Sequence, residues 1–112
     1  MDDERARELL ARERARIERA LDDLAPAERD NPDPFDPADV SPDLTEAEIG
    51  EALRERLLEE LKAIERAELR LAEGTYGLSV ESGEPIPDAR LEAIPWAERT
   101  VEEQARYDRL GG

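Results

Sequence analysis

Four positions near the C-terminal end have the spacing of a metal site and the wrong side chains for one. Ser79-x-x-Ser82-Gly83 is followed, seventeen residues on, by Thr100-x-x-Glu103. Cysteines at those four places would give the ligand spacing of a four-cysteine zinc site, and Gly83 would serve the tight turn such a knuckle needs. Hydroxyls are poor zinc ligands, and one carboxylate does not make a site. The chain contains neither cysteine nor histidine. Disulfides, thiol nucleophiles and histidine acid–base catalysis are therefore excluded, and zinc is expected to be absent. The other candidates are acidic. Asp36-Pro37-Ala38-Asp39-Val40-Ser41 places two carboxylates three residues apart, which is also good turn chemistry. Glutamates along a charged helix are read as a solvated face rather than as acid–base pairs. No catalytic residue is assigned, and the chain is read as a non-enzyme.

The elements that must carry these positions are helical. Charged residues make up 42% of the 112 and aromatics 4%, too little apolar mass for one large core. The apolar residues are mostly Leu, Ala and Ile in helical stretches, the composition of long helices or coiled coils. Residues 2–25 read as a helix. Its narrow stripe is Ala6, Leu10, Ile17, Leu21 and Leu24, interrupted by Arg14, with acids at its N-terminus where the helix dipole favours them. Five prolines between 26 and 44 rule out a continuous helix there. A second helix starts after Thr45, which forms a capping box with Glu48, and stops at Gly74. Its stripe is Ile49, Leu53, Leu57, Leu61, Ile64, Ala67 and Leu71. At ~1.5 Å per residue it is a rod of roughly 42 Å. Two helices with matching narrow stripes predict an antiparallel hairpin over 1–73, with a proline-rich acidic tip loop at 26–44.

Residues 74–112 predict a separate small module: a hairpin at 78–86, a short helix at 88–94 and a final helix from about 101 to 109. Its expected core is Tyr76, Leu78, Val80, Ile86, Leu91, Ile94, Trp96 and Val101. Burying an aromatic or leucine contributes about 1.5–3 kcal/mol, so a handful could replace one structural metal. The fold class is thus mainly α: an antiparallel helical hairpin plus a small zinc-ribbon-like module without metal.

Net charge is −15 and Lys62 is the only lysine. Counterion release onto nucleic acid needs a basic surface, so direct nucleic-acid binding is disfavoured, as is adsorption to an anionic membrane. A partner with a basic groove or channel fits better. The start, MDDERARELL, lacks the apolar stretch of a signal peptide, no run reaches the length of a membrane span, and the cytoplasm is the expected compartment.

The run GTYGLSVESGEPIPDARLEAIPWAERTVEEQ closely resembles the C-terminal zinc finger of the DksA/TraR family. That finger reads GTYG, Cys-x-x-Cys-Gly, a stretch ending in IP-x-x-RL-x-A-x-P, then Cys-x-x-Cys-Gln. Gly74-Thr75-Tyr76-Gly77, Gly83, Ile86-Pro87, Arg90-Leu91, Ala93, Pro95 and Gln104 stand in place. The family also carries an acidic Asp-x-x-Asp-x-Ala motif at the tip of a coiled-coil hairpin, matched here by Asp36, Asp39 and, with Ser for Ala, Ser41. The resemblance implies a transcription regulator that binds RNA polymerase through its secondary channel, with the acidic tip near the active site. It makes Asp36, Asp39 and Ser41 the polymerase-contact candidates. It makes Ser79, Ser82, Thr100 and Glu103 degenerate metal positions, with Tyr76, Leu91, Pro95 and Trp96 as core candidates.

Some family members bind the alarmone ppGpp with basic residues in the hairpin and just before the proline at position 95. Ala63 and Ile94 stand at those places, which argues against that site. The short N-terminus suggests a compact variant. The alternative is a helical protein–protein adaptor that kept the scaffold but not the polymerase activity. The stripe broken at Arg14 favours a monomer.

Overall fold

The computed structural model describes residues 1–29 and 46–111. Four helices follow in order: α1 (Asp3–Arg29), α2 (Glu46–Glu73), α3 (Asp88–Ala93) and α4 (Val101–Arg109). Asp2 caps α1, its carboxylate accepting the Arg5 amide at 2.7 Å. The helix runs past the expected end at 25 and through Pro26. Proline lacks the amide that would bond the carbonyl four residues back and crowds that carbonyl, a cost confined here to one turn near the end of α1.

The α1–α2 seam is built from Ala6, Leu10 and Ile17 against Leu57, Ile64, Ala67 and Leu71. Leu21, Leu24 and Leu61 pack partly buried against it. Arg14, which breaks the apolar stripe, reaches across to Glu68 through two hydrogen bonds of 2.6 and 3.3 Å. The interruption is thus an ion pair flanking the seam. Ile49 and Leu53 belong to the stripe by spacing but are about half exposed. A two-helix pair covers each side chain from one side only, and burial concentrates between residues 57 and 71. Thr45, the expected cap of α2, lies outside the described residues.

At its C-terminus α2 closes with a Schellman motif. The Thr75 amide donates to the Arg70 carbonyl and the Gly74 amide to that of Leu71. Gly74 sits at φ +81°, a conformation glycine adopts without penalty. The expected hairpin at 78–86 is a tight double-back held by a single bridge between Leu78 and Pro85. The Ile86 amide donates to the Gly77 carbonyl and the Ser79 amide to that of Glu84, both at 2.8 Å. α3 and α4 follow close to the expected ranges.

The module's core is smaller than the sequence suggests. Ile86, Leu91 and Ala97 are buried, with Met1, Tyr76 and Ile94 packed partly buried around them. Leu78, Val80 and Val101, expected inside, are 39%, 49% and 58% exposed. Alternation explains the first two: Ser79 points inward, so its neighbours on either side point out. Helical geometry explains the third: Glu103 faces inward, and Val101 lies about 200° round α4 from it. Tyr76 also packs against the hairpin seam, and Trp96 packs there rather than in the module core. Ion pairs fasten the module to the hairpin base. Arg66 and Arg70 of α2 both hold Glu98, and Arg5 of α1 grips Glu92 with bonds of 2.9 and 3.1 Å.

Candidate functional site

The structure brings the four degenerate metal positions together. Ser79 and Glu103 are the buried polar side chains among the described residues, at 5% and 8% exposure. The Ser79 hydroxyl donates to Glu103 Oε1 at 2.6 Å. The same hydroxyl oxygen accepts the amides of Glu81 and Ser82 at 3.0 and 3.2 Å, the local pattern by which a serine fixes its own turn. Glu103 Oε1 also accepts the Thr100 amide at 2.9 Å, and the Glu103 amide donates to Thr100 Oγ1 at 3.2 Å. Thr100 and Glu103 are therefore a capping box for α4. The fourth position is at once the end of a capping box and the anchor of the knuckle.

This arrangement holds Glu103 ionised. The Ser79 hydroxyl, then the Thr100 amide and the Ser82 hydroxyl, push its carboxyl down to about 2. Ser82 itself is exposed. Around the rim, Glu81 ties the knuckle to α4 through Arg99 at 2.8 Å and Arg106 at 3.4 Å. Arg99 also stacks on the Tyr107 ring, 3.7 Å from its centroid.

The donor set does not fit zinc. Three hydroxyls and one carboxylate already committed to hydrogen bonds offer no thiolate or imidazole. Among the described residues no group of three His, Cys, Asp or Glu side chains is placed to hold a metal ion. The capping box was legible in the sequence, since Ser/Thr-x-x-Glu ahead of a helix is its signature. The buried Ser79–Glu103 pair, 24 residues apart in the chain, had no local signal.

The core candidates separate. Leu91 is buried in the module core, and Pro95 is buried as well. The Tyr76 hydroxyl donates to the Pro95 carbonyl at 2.8 Å, and burial pushes that phenol up to about 12. Trp96 is half-buried. A shallow groove of about 390 Å³ between α2 and α4 contains both Ala63 and Ile94 in its lining. The arginines there are engaged within the chain: Arg66 by Glu98, Arg99 by Glu81, and Arg90 Nε by the Arg99 carbonyl at 2.8 Å. Asp36, Asp39 and Ser41 lie outside the described residues.

A long helical pair carrying a small knuckle-and-helix module is the architecture of a coiled-coil zinc-finger protein, with oxygen side chains where the thiolates would be. The chain belongs to the DksA/TraR family. Residues 74–109 match the family described as "Prokaryotic dksA/traR C4-type zinc finger". The transcription factor DksA2 from Pseudomonas aeruginosa superposes with a TM-score of 0.71 at 30% identity, covering 97% of this chain and 84% of that one. The RNA polymerase binding protein and transcriptional regulator Dks from Chlamydia trachomatis gives 0.51 at 27% identity, covering 97% and 93%.

In sequence, the chain is 39% identical over 74 residues to the RNA polymerase-binding transcription factor DksA of Caulobacter vibrioides, covering 66% of this chain and 52% of that protein. It is 44% identical over 66 residues to General stress protein 16O of Bacillus subtilis, covering 59% and 38%. The match thus spans about half the length, or less, of these curated relatives. No helix among the described residues is long and apolar enough to cross a membrane.

Proposed function

We propose that this protein is a cytoplasmic transcription regulator, not an enzyme, that binds RNA polymerase through its secondary channel as a monomer, without contacting DNA directly. The observation that carries this reading is the likeness to the DksA2 transcription factor over 97% of the chain at 30% identity. The charge supports it. Between residues 30 and 45 there are five aspartates and no basic residue, at the end of a chain segment flanked by two long helices. An acidic tip on a slender anionic rod suits a basic channel, and its field would steer it there. Asp36 and Asp39 are the side chains that would act near the catalytic centre, with Ser41 beside the channel wall. Ala63 and Ile94, uncharged in a groove whose arginines already bond within the chain, support a regulator that works without the alarmone ppGpp.

The test is co-purification with RNA polymerase from the source cell, followed by promoter-complex lifetime and run-off transcription with purified components. Expected are a stoichiometric complex and a changed complex lifetime that Asp36→Ala/Asp39→Ala abolishes while leaving the thermal midpoint unchanged. Absence of a complex, together with a double variant indistinguishable from wild type, would refute the proposal and favour an adaptor that kept only the scaffold.

A further inference from the structure

The chain has 47 charged residues, yet the described residues bury only one charged side chain, Glu103, and one polar partner, Ser79. Both occupy former metal positions, the first and the fourth, and they are bonded to each other at 2.6 Å. A carboxylate turned in from the surface needs hydrogen bonds to compensate it, so the pair here calls for a structural reason.

The remaining two positions take part as well. The Ser82 amide donates to Ser79 Oγ, the Thr100 amide donates to Glu103 Oε1, and Thr100 Oγ1 accepts the Glu103 amide. A zinc centre is a cation ringed by anionic donors. Here the fourth position is itself the anion: the first and third donate to it, and the second donates to the serine that holds it. The backbone around them keeps the form of a knuckle. Gly83 stands at φ +77° and its amide closes the turn onto the Ser79 carbonyl at 3.0 Å, while the Val80 amide donates to the Glu98 carbonyl at 2.9 Å.

We infer that Glu103 is a metal substitute: its carboxylate, held by Ser79 and Thr100, joins the knuckle to α4 in the place where a metal would, so the module folds and stays folded without any metal. This clasp does not depend on polymerase binding, and it is read by metal content and stability alone.

The purified full chain is analysed for metals and melted in the presence of EDTA and of excess zinc. Expected are far less than one zinc per chain and a midpoint that neither reagent moves. Ser79→Ala and Glu103→Gln are each expected to lower the midpoint by about 5 °C or more, because a charge-assisted bond is lost and, in the serine variant, two amides lose their acceptor. Failure of either variant to fold supports the same conclusion. The converse variant places cysteine at all four positions: Ser79→Cys/Ser82→Cys/Thr100→Cys/Glu103→Cys. Under reducing conditions it is expected to take up one zinc and to become chelator-sensitive, because the frame is still that of a knuckle. One equivalent of zinc in wild type with an EDTA-sensitive midpoint would overturn the inference. So would single variants as stable as wild type, or a four-cysteine chain that binds no zinc.

Discussion

Leu91 tests whether so small a core matters. It is 2% exposed, and its buried companions are only Ile86 and Ala97. Truncating a buried leucine to alanine costs about 2.7–5 kcal/mol, the high values arising where the cavity cannot collapse. Around Leu91 the further neighbours are Met1, Tyr76 and Ile94, all partly exposed and able to settle inward. The lower end applies, about 3 kcal/mol. At roughly 4 °C per kcal/mol for a chain of this length, Leu91→Ala should lower the midpoint by about 12 °C. Circular dichroism follows the helices. Fluorescence of Trp96, the only tryptophan, follows the joint between module and hairpin. The control is Val101→Ala, where the sequence pattern expects a core residue and the structure shows 58% exposure. That variant should stay within about 0.5 kcal/mol of wild type. If Leu91→Ala were as harmless as Val101→Ala, or Val101→Ala as damaging as Leu91→Ala, the assignment of this core would be wrong.

Other outcomes follow from the charges. Glu98→Ala should cost about 2–3 kcal/mol, less than a fully buried pair, because Arg70 is 12% exposed and would lose its acceptor; Nε and Nη2 of Arg70 already have none. Arg66→Ala, at an exposed guanidinium on the same carboxylate, should cost about 0.5 kcal/mol in the same melt. Acid should destabilise the chain. Glu103 is held down to about 2, whereas in the unfolded chain a glutamate titrates near ~4.3. Burial pushes Glu98 up, but Arg66 and Arg70 outweigh it and hold it below its ordinary value. For both groups the unfolded state takes up the proton first. Their stabilisation is therefore complete above the unfolded value and is lost as pH falls below it, for Glu103 down to about 2. Denaturant midpoints measured across that range should fall with pH in wild type and fall less steeply in Glu103→Gln. A wild-type curve flat down to pH ~2 would contradict the clasp geometry.

Much of this protein was decided locally and could be read locally. The 3.6-residue stripes of α1 and α2, the acids at the start of α1 and Gly74 as a stop all depend on neighbours within a turn or two, so they are written in the sequence. The family resemblance is equally a matter of sequence, carried by the run from Gly74 to Gln104. The acidic tip motif is read from the sequence too, and Asp36, Asp39 and Ser41 remain candidates on that ground. Which faces point inward was decided elsewhere. Leu78, Val80 and Val101 have core-type side chains, but the packing of knuckle against α4 turns Ser79 and Glu103 inward instead, and a turn or short helix cannot present both faces to one core. The spacing of Ser79, Ser82, Thr100 and Glu103, together with the family resemblance around it, marked them as metal positions without metal ligands. Only the tertiary structure supplied its replacement, because a bond between residues 24 apart exists once the chain has folded back and excluded water from the pair. What the sequence showed as the absence of a metal site is, in the folded chain, a buried carboxylate with its own set of donors.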